Sequence, residues 1–288
     1  MLIERRIGYD GKIYDHDKVK IAIERLQAFE PPEGYHLAFS GGKDSQCIYH
    51  LAKMAGVKFD AHYNITTVDP PDLIYFIRKN YPDVIADRPE KTMWQLIVEK
   101  KIVPTRQIRY CCEYLKEHSG TGRTLVTGTR WEESVKRRNG RGLIELNAYT
   151  KTKIMLNNDN EETRRLYETC VMKSKHMLNP IIEWSESDVW HFLNGNKIEH
   201  CILYDEGWKR IGCIGCPMAG KDGMLREFER YPKFKAQYIR TFDKMVQERK
   251  KYGLSTDNWS DGKSVMDWWI YGCEKEKVDE NQFTIWDV

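Results

Sequence analysis

The stretch YHLAFSGGKDSQCIYHL, residues 35 to 51, constrains the fold of this chain more than any other. An apolar run from Leu37 to Phe39 stops at two glycines. Lys43, Asp44 and Ser45 follow before an apolar helical pattern resumes, from about Asp44 to Met54. A strand that ends in glycines and turns directly into a helix offers backbone amides and the positive end of a helix dipole to a ligand above the turn, which is the physics of phosphate capture. The order of residues fits neither GxxxxGK[ST] nor GxGxxG, so neither the Walker loop nor the dinucleotide fingerprint applies.

The surroundings of this stretch repeat its strand-then-helix pattern. Residues 16 to 29 place Val19, Ile21, Ile23, Leu26 and Phe29 near one another at helical spacing, and PPEG at 31 to 34 ends that segment. After the glycine turn, VKFDAHYNI reads as a strand, a helix follows Asp69-Pro70-Pro71, KTMWQLIVEKK fits another helix, and RTLVTGTR reads as a strand closing on a glycine turn. Such alternation predicts a parallel sheet with helices on its faces. Residues 136 to 178 read as polar and turn-rich, with NNDNEE an exposed loop. In WSESDVWHFL, Ser185 and Asp188 mark a helix start. Beyond Cys216 the pattern is mostly helical and aromatic, and Trp259, Trp268, Trp269 and Trp286, which with interleaved Tyr and Arg could stack bases, read at that spacing as core. The division expected is a nucleotide-binding α/β domain over 1–200 and a mainly helical, CxxC-bearing region over 201–288.

Composition excludes several classes. In 288 residues, 46 basic against 43 acidic side chains give a net charge of only +3, so the overall field does not call for a nucleic-acid partner. No run approaches the ~20 apolar residues of a membrane span and no apolar leader is visible, which predicts a cytoplasmic protein without a membrane partner. In that reducing compartment the eight cysteines are expected as thiols or metal ligands rather than disulfides.

Four of them are paired in sequence: Cys111 with Cys112, and Cys213 with Cys216 in KRIGCIGCPMAG. Adjacent cysteines rarely bond to each other, and one CxxC alone is ambiguous among zinc, dithiol and iron-sulfur roles. Together the pairs supply four thiolates, enough for a tetrahedral ion or a cubane cluster. Arg106 and Arg109 put positive charge just before the first pair. Cys201, twelve residues before Cys213, is an alternative ligand for one of the adjacent pair, whereas Cys47 and Cys170 read as structural.

The loop resembles the PP-loop, SGGxDS, of the adenine nucleotide alpha hydrolase superfamily, matching at Ser40, Gly41, Gly42, Asp44 and Ser45. The CC pair followed by Lys116 and a distant CxxC is similar to the pattern of phosphoadenosine phosphosulfate (PAPS) and adenylylsulfate reductases. So are TGTRWEES, like TGxRxxES, and NPIIEWSESDVWHFL, like NPLxxWxxxDVWxYI, so the likeness spans about residues 35 to 217. It implies a Rossmann-like parallel α/β sheet of PP-loop type with a C-terminal helical extension. It implies an adenine nucleotide on Ser40, Gly41, Gly42, Lys43, Asp44, Ser45, Thr66, Asp69, Gly128 and Arg130, with Arg130 neutralising the anion and Arg137 or Arg138 closing over it. It also implies a four-iron four-sulfur (4Fe-4S) cluster on Cys111, Cys112, Cys213 and Cys216, beside the nucleotide.

The implied activity is reduction of a sulfonucleotide to sulfite, with a thiol reductant such as thioredoxin as partner. One departure stands out: the family's ECGxH segment, whose cysteine attacks sulfur, is absent, and the only late cysteine is Cys273 in IYGCEKEK. Cys273 is therefore the candidate nucleophile. The alternative implied by the superfamily is an ATP-dependent enzyme of nucleic-acid thiolation or DNA phosphorothioation, with a nucleic acid as partner.

Overall fold

A computed structural model describes residues 2–7, 10–117, 119–170, 174–257 and 259–272. The elements in chain order are β1 (Ile3–Ile7), β2 (Ile13–Asp17), α1 (Lys18–Ala28), β3 (Tyr35–Ala38), α2 (Lys43–Ala55), β4 (Phe59–Asn64), α3 (Pro71–Asn80), β5 (Ile85–Asp87), α4 (Met93–Lys100), α5 (Tyr110–Lys116) and β6 (Thr124–Val126). They continue with α6 (Val135–Gly140), β7 (Ile144–Ala148), β8 (Ile154–Leu156), α7 (Glu161–Thr169), β9 (Lys175–Leu178), α8 (Glu186–Gly195), α9 (Gly220–Arg230), α10 (Pro232–Lys251) and α11 (Gly262–Tyr271). The chain divides into two compact units, and the division is discontinuous. One comprises Met1–Ile65, Pro71–Arg88 and His118–Ile211, the other Thr66–Pro70, Pro89–Glu117 and Gly212–Val288. A single cut at residue 200 does not capture this, because Thr66–Pro70 and the segment carrying Cys111 and Cys112 join the C-terminal helices.

The first unit is built on a seven-stranded sheet of order β5-β4-β3-β6-β9-β7-β8. Its first five strands run parallel. Then β7 lies antiparallel to β9, and β8 to β7. The fold class is thus α/β with a mostly parallel sheet. The antiparallel edge comes from residues 136–178, where the sequence suggests loop. The central strands are buried: Tyr35, His36 and Leu37 in β3, and all of β6. Among the described residues a small hairpin, β1 with β2, forms a separate two-stranded sheet that sequence pattern did not suggest.

Local signals set the helix ends. Asp17 caps α1 by accepting from the amides of Val19 and Lys20, and Gly56 ends α2 in the left-handed conformation at φ 68°. Ser185 and Asp188 form the reciprocal cap of α8 that their spacing predicts. In the second unit α4, α5 and α9 to α11 enclose a core that includes Val68, Leu96, Ile214, Phe228, Tyr238, Phe242 and Trp269. No helix among the described residues is long and apolar enough to cross a membrane.

Candidate functional site

The glycine loop leaves the end of β3 and enters α2 within the first unit. Gly41 stands at φ 71°, a conformation that favours glycine, and a Cβ there would lie 2.7 Å from Leu73 Cδ1 and 2.8 Å from Ile77, side chains that would have to shift. Gly42 is the helix cap. Its amide donates to Ser40 Oγ at 3.4 Å, Ser40 Oγ donates to Ser45 Oγ at 3.2 Å, and Ser45 Oγ donates back to the Gly42 carbonyl at 2.8 Å. The Lys43 amide donates to the Tyr204 hydroxyl at 2.9 Å. The Lys43 side chain is 7% exposed, and its ammonium donates to the Lys209 carbonyl at 3.2 Å, with Glu186 at 3.6 Å and Asp44 at 3.8 Å.

Arg130 is turned inward, at 3% exposure. Its Nε donates to Asp44 Oδ1 at 2.7 Å, and its Nη1 donates to Glu132 Oε2 at 3.0 Å and to the Trp184 carbonyl at 3.3 Å. The side chain expected to meet an anion is thus engaged in tying the TGTR turn to the first turn of α2. Gly128 has the same consequence, since a Cβ on it would lie 2.8 Å from the Asp44 carbonyl oxygen. The close approach it permits is to the helix backbone. Arg137 pairs with Glu133 rather than closing over the loop.

The four paired cysteines lie in the second unit. Cys111 and Cys112 open α5, which Arg109 precedes, and Arg109 Nη2 donates to Cys112 Sγ at 3.1 Å. The CxxC loop is fixed at three points: Ile214 N donates to the Val68 carbonyl at 2.8 Å, Gly215 N donates to Glu227 Oε2 at 2.6 Å, and the Tyr238 hydroxyl donates to the Ile214 carbonyl at 2.9 Å. Gly215, at φ 73°, sits among Phe228, Trp269 and Tyr238, each within 3.1 Å of where a Cβ would be. Arg106 Nε holds the far end through the Pro217 carbonyl at 3.1 Å.

Charge follows the sulfurs. The Cys112 thiol is pushed down, first by the hydrogen bond from Cys111 and then by Arg109, while the same pairing and burial push Cys111 up. Cys213 above all raises the pKa of Lys116, with Asp69 and Cys112 adding to it against desolvation. Cys213 Sγ also donates to Thr66 Oγ1 at 3.5 Å. Thr66 in turn donates through its amide and hydroxyl to the Asp69 carboxylate, both at 2.7 Å, so these two residues close a turn beside Cys213.

This donor set can be tested against a metal group. Four soft thiols with two cations nearby suit iron-sulfur or zinc ligation. One tetrahedral zinc would draw its sulfurs to about 3.8 Å of one another, from Zn–S bonds of ~2.3 Å. Among the described residues, no three of the cysteine sulfurs lie mutually within 4.8 Å. A cubane gives each thiolate its own iron and tolerates a wider frame, so the four thiols are of the right kind and number to hold a cluster. Cys201 and Cys47 are fully buried in the core of the first unit, and the Cys170 sulfur accepts from Asn147 Nδ2 at 3.6 Å. Cys273 and Trp286 lie outside the described residues.

A second convergent set, His36, Asp60 and His62, is not a comparable metal site even though its ligand atoms lie within 4.8 Å. Arg123 engages both Asp60 oxygens at 2.6 and 2.7 Å, and the two imidazoles stack in near-parallel planes with centroids 4.1 Å apart, so their in-plane lone pairs do not converge. Sequence reasoning missed this network and also missed Tyr204 and Lys209. The run LYDEGWKR carries a turn signature at Gly207 just ahead of the CxxC, but nothing in it says that its tyrosine reaches back to the loop.

Comparison with known proteins adds the following. The family model "Phosphoadenosine phosphosulfate reductase domain" matches residues 34–219. An uncharacterized protein of Methanocaldococcus jannaschii is 29% identical over 76% of this chain and 48% of its own length. An adenosine 5'-phosphosulfate reductase of Oceanobacillus iheyensis is 26% identical over 54% of this chain and 57% of its own. A probable FAD synthase of Caenorhabditis elegans is 24% identical over 73% of this chain and 34% of its own. The chain therefore spans only about a third to just over half the length of these relatives.

Proposed function

The chain belongs to the phosphoadenosine phosphosulfate reductase domain family, and from that membership we propose that it is a sulfonucleotide reductase-like enzyme acting on adenylylsulfate or its 3'-phosphorylated form. The observation that carries the reading is the joint occurrence in one chain of the SGGKDS loop and of two cysteine pairs that lie in one compact unit. In this reading the amides of Gly42 and Lys43, with Ser40 and Ser45, hold the phosphosulfate. Asp44 and Arg130 act one step removed, by keeping the loop in shape. Cys111, Cys112, Cys213 and Cys216 hold a 4Fe-4S cluster, which when bound supplies a fixed electrostatic environment at its thiolates.

The reaction balances as two thiol steps. A thiolate, assigned to Cys273, attacks the sulfate sulfur, and the S–O bond to phosphate breaks with its electron pair leaving on AMP or its 3'-phosphate analogue. The enzyme is left as a thiosulfonate. A dithiol reductant of the thioredoxin class then attacks the cysteine sulfur, sulfite departs with the S–S electron pair, and the reductant's second thiol frees the cysteine and closes a disulfide.

The missing ECGxH segment favours one competing reading, an ATP-dependent enzyme that releases pyrophosphate while thiolating a nucleic acid. Product analysis separates the two. Anaerobically purified protein given adenylylsulfate, its 3'-phosphorylated form, or ATP, each with a dithiol reductant, is expected to yield sulfite from one of the first two. Pyrophosphate from ATP in the presence of nucleic acid, with no sulfite from either sulfonucleotide, would replace this reading by the second.

A further inference from the structure

Building on the reading of SGGKDS as a phosphate loop, we propose that the Tyr204 hydroxyl occupies the seat of a phosphate oxygen and that the ligand enters by displacing it. The first amide of α2, on Lys43, is the donor best placed for an anion at a helix start, and it donates to Tyr204 Oη at 2.9 Å. A Cβ added to Gly42 would lie 3.4 Å from the same oxygen, so the hydroxyl sits over the open side of the glycine. The Gly42 amide is answered by Ser40 Oγ. Both amides that a phosphate would use are thus met by oxygen atoms of the protein itself.

Tyr204 is held there by its own segment. Its ring meets Trp190 edge-on, with centroids 5.0 Å apart, and the Lys43 ammonium lies 5.7 Å from the ring centroid while donating to the Lys209 carbonyl. The turn of residues 201–209 therefore fastens onto Lys43 twice, through a tyrosine hydroxyl on its backbone and a carbonyl on its side chain. Burial pushes the phenol's pKa up, so the oxygen on the amide is a neutral one.

A neutral hydroxyl is a weak occupant of this position. A phosphate oxygen makes a charge-assisted bond, roughly twice as strong, and interacts favourably with the positive end of α2, whereas the hydroxyl gains little from that end. The ligand wins the exchange, at the cost of breaking one neutral hydrogen bond. Tyr204 acts as a positioning residue that keeps the loop formed when empty and sets a threshold on what enters: a group must carry enough charge to replace it.

Calorimetric titration of the full chain and of Tyr204→Phe with inorganic pyrophosphate tests this. The phenylalanine variant keeps the ring but frees the Lys43 amide, and it should bind about five-fold more tightly, the worth of one neutral hydrogen bond. Binding by the variant alone would also support the exchange. Equal or weaker binding by the variant, with the parent binding well, overturns the displacement and leaves the phosphate loop standing. If neither binds, both the displacement and the loop assignment fall. A second readout does not depend on the variant's folding. In the parent labelled with 3-fluorotyrosine, the Tyr204 resonance should shift on saturation with pyrophosphate, and an unmoved resonance overturns the proposal.

Discussion

Replacing Cys213 by serine should strip the protein of its iron. Anaerobically prepared parent is expected to hold about four iron atoms and about four acid-labile sulfides per chain, and Cys213→Ser only a small fraction of either. The expectation follows from how the loop is fixed. Cys213 precedes Ile214 and Gly215, whose backbones are tied to Val68, Tyr238 and Glu227, so the loop cannot slide to bring another donor into the vacated place. Cys213 is also the first cause of the raised Lys116 pKa, so the substitution removes a charge interaction as well. Because metal binding and folding are linked, the melting temperature should fall with the iron. Cys201→Ala is the control: Cys201 packs in the core of the first unit, and the variant should keep its iron. Zinc in place of iron, without sulfide, would contradict the assignment, as would iron retained by Cys213→Ser.

Arg130→Leu should be costly in a different currency, that of fold stability. The guanidinium is almost fully buried and bridges Asp44, Glu132 and the Trp184 carbonyl, so removing it breaks the tie between the TGTR turn and α2. Breaking a buried pair by deleting one partner costs about 3–5 kcal/mol. The Asp44 and Glu132 side chains are 26% and 52% exposed and can rehydrate, which places the expectation at the lower end, about 3 kcal/mol. Urea denaturation measures it. Asp44→Asn should be destabilising as well, and the double variant should cost clearly less than the sum, because both changes break the same contact. An arginine that served only to meet the ligand's anion would behave otherwise, losing nucleotide affinity at unchanged stability.

What was legible in the sequence were the features fixed by short-range chemistry. The glycine turn after β3, the Ser185–Asp188 cap, the strand ending at Gly128 and the helical C-terminal third each follow from local rules. The antiparallel edge did not, although Ile144, Leu146 and Ala148 alternate with polar residues in β7, because its strands are short and set among polar, turn-rich sequence. Glu145 is buried in β7 yet accepts from Arg141 at 3.1 Å, Lys153 at 2.5 Å and Asn179 at 3.2 Å. His176, in β9, accepts from the Asn147 amide at 3.1 Å. Five alternating residues are too short a span to outweigh the polar segments on either side, and nothing in them says that Glu145 and Asn147 are buried as well. Arg130 shows the same limit at the site. Its motif gives the right neighbourhood, but only the fold reveals that Asp44 and Glu132 already claim it. Tyr204 is the converse, a residue with no local signal that meets the loop 161 positions away in sequence.

The most direct test of the account is a single turnover without reductant. Cluster-loaded protein mixed anaerobically with adenylylsulfate or its 3'-phosphorylated form should release close to one equivalent of AMP or its 3'-phosphate analogue per chain from one of them. Mass spectrometry of the unreduced protein should then find a sulfite adduct on a cysteine, mapping to Cys273 and absent from Cys273→Ser. Neither nucleotide release nor an adduct from either substrate, with pyrophosphate formed from ATP instead, would contradict the account.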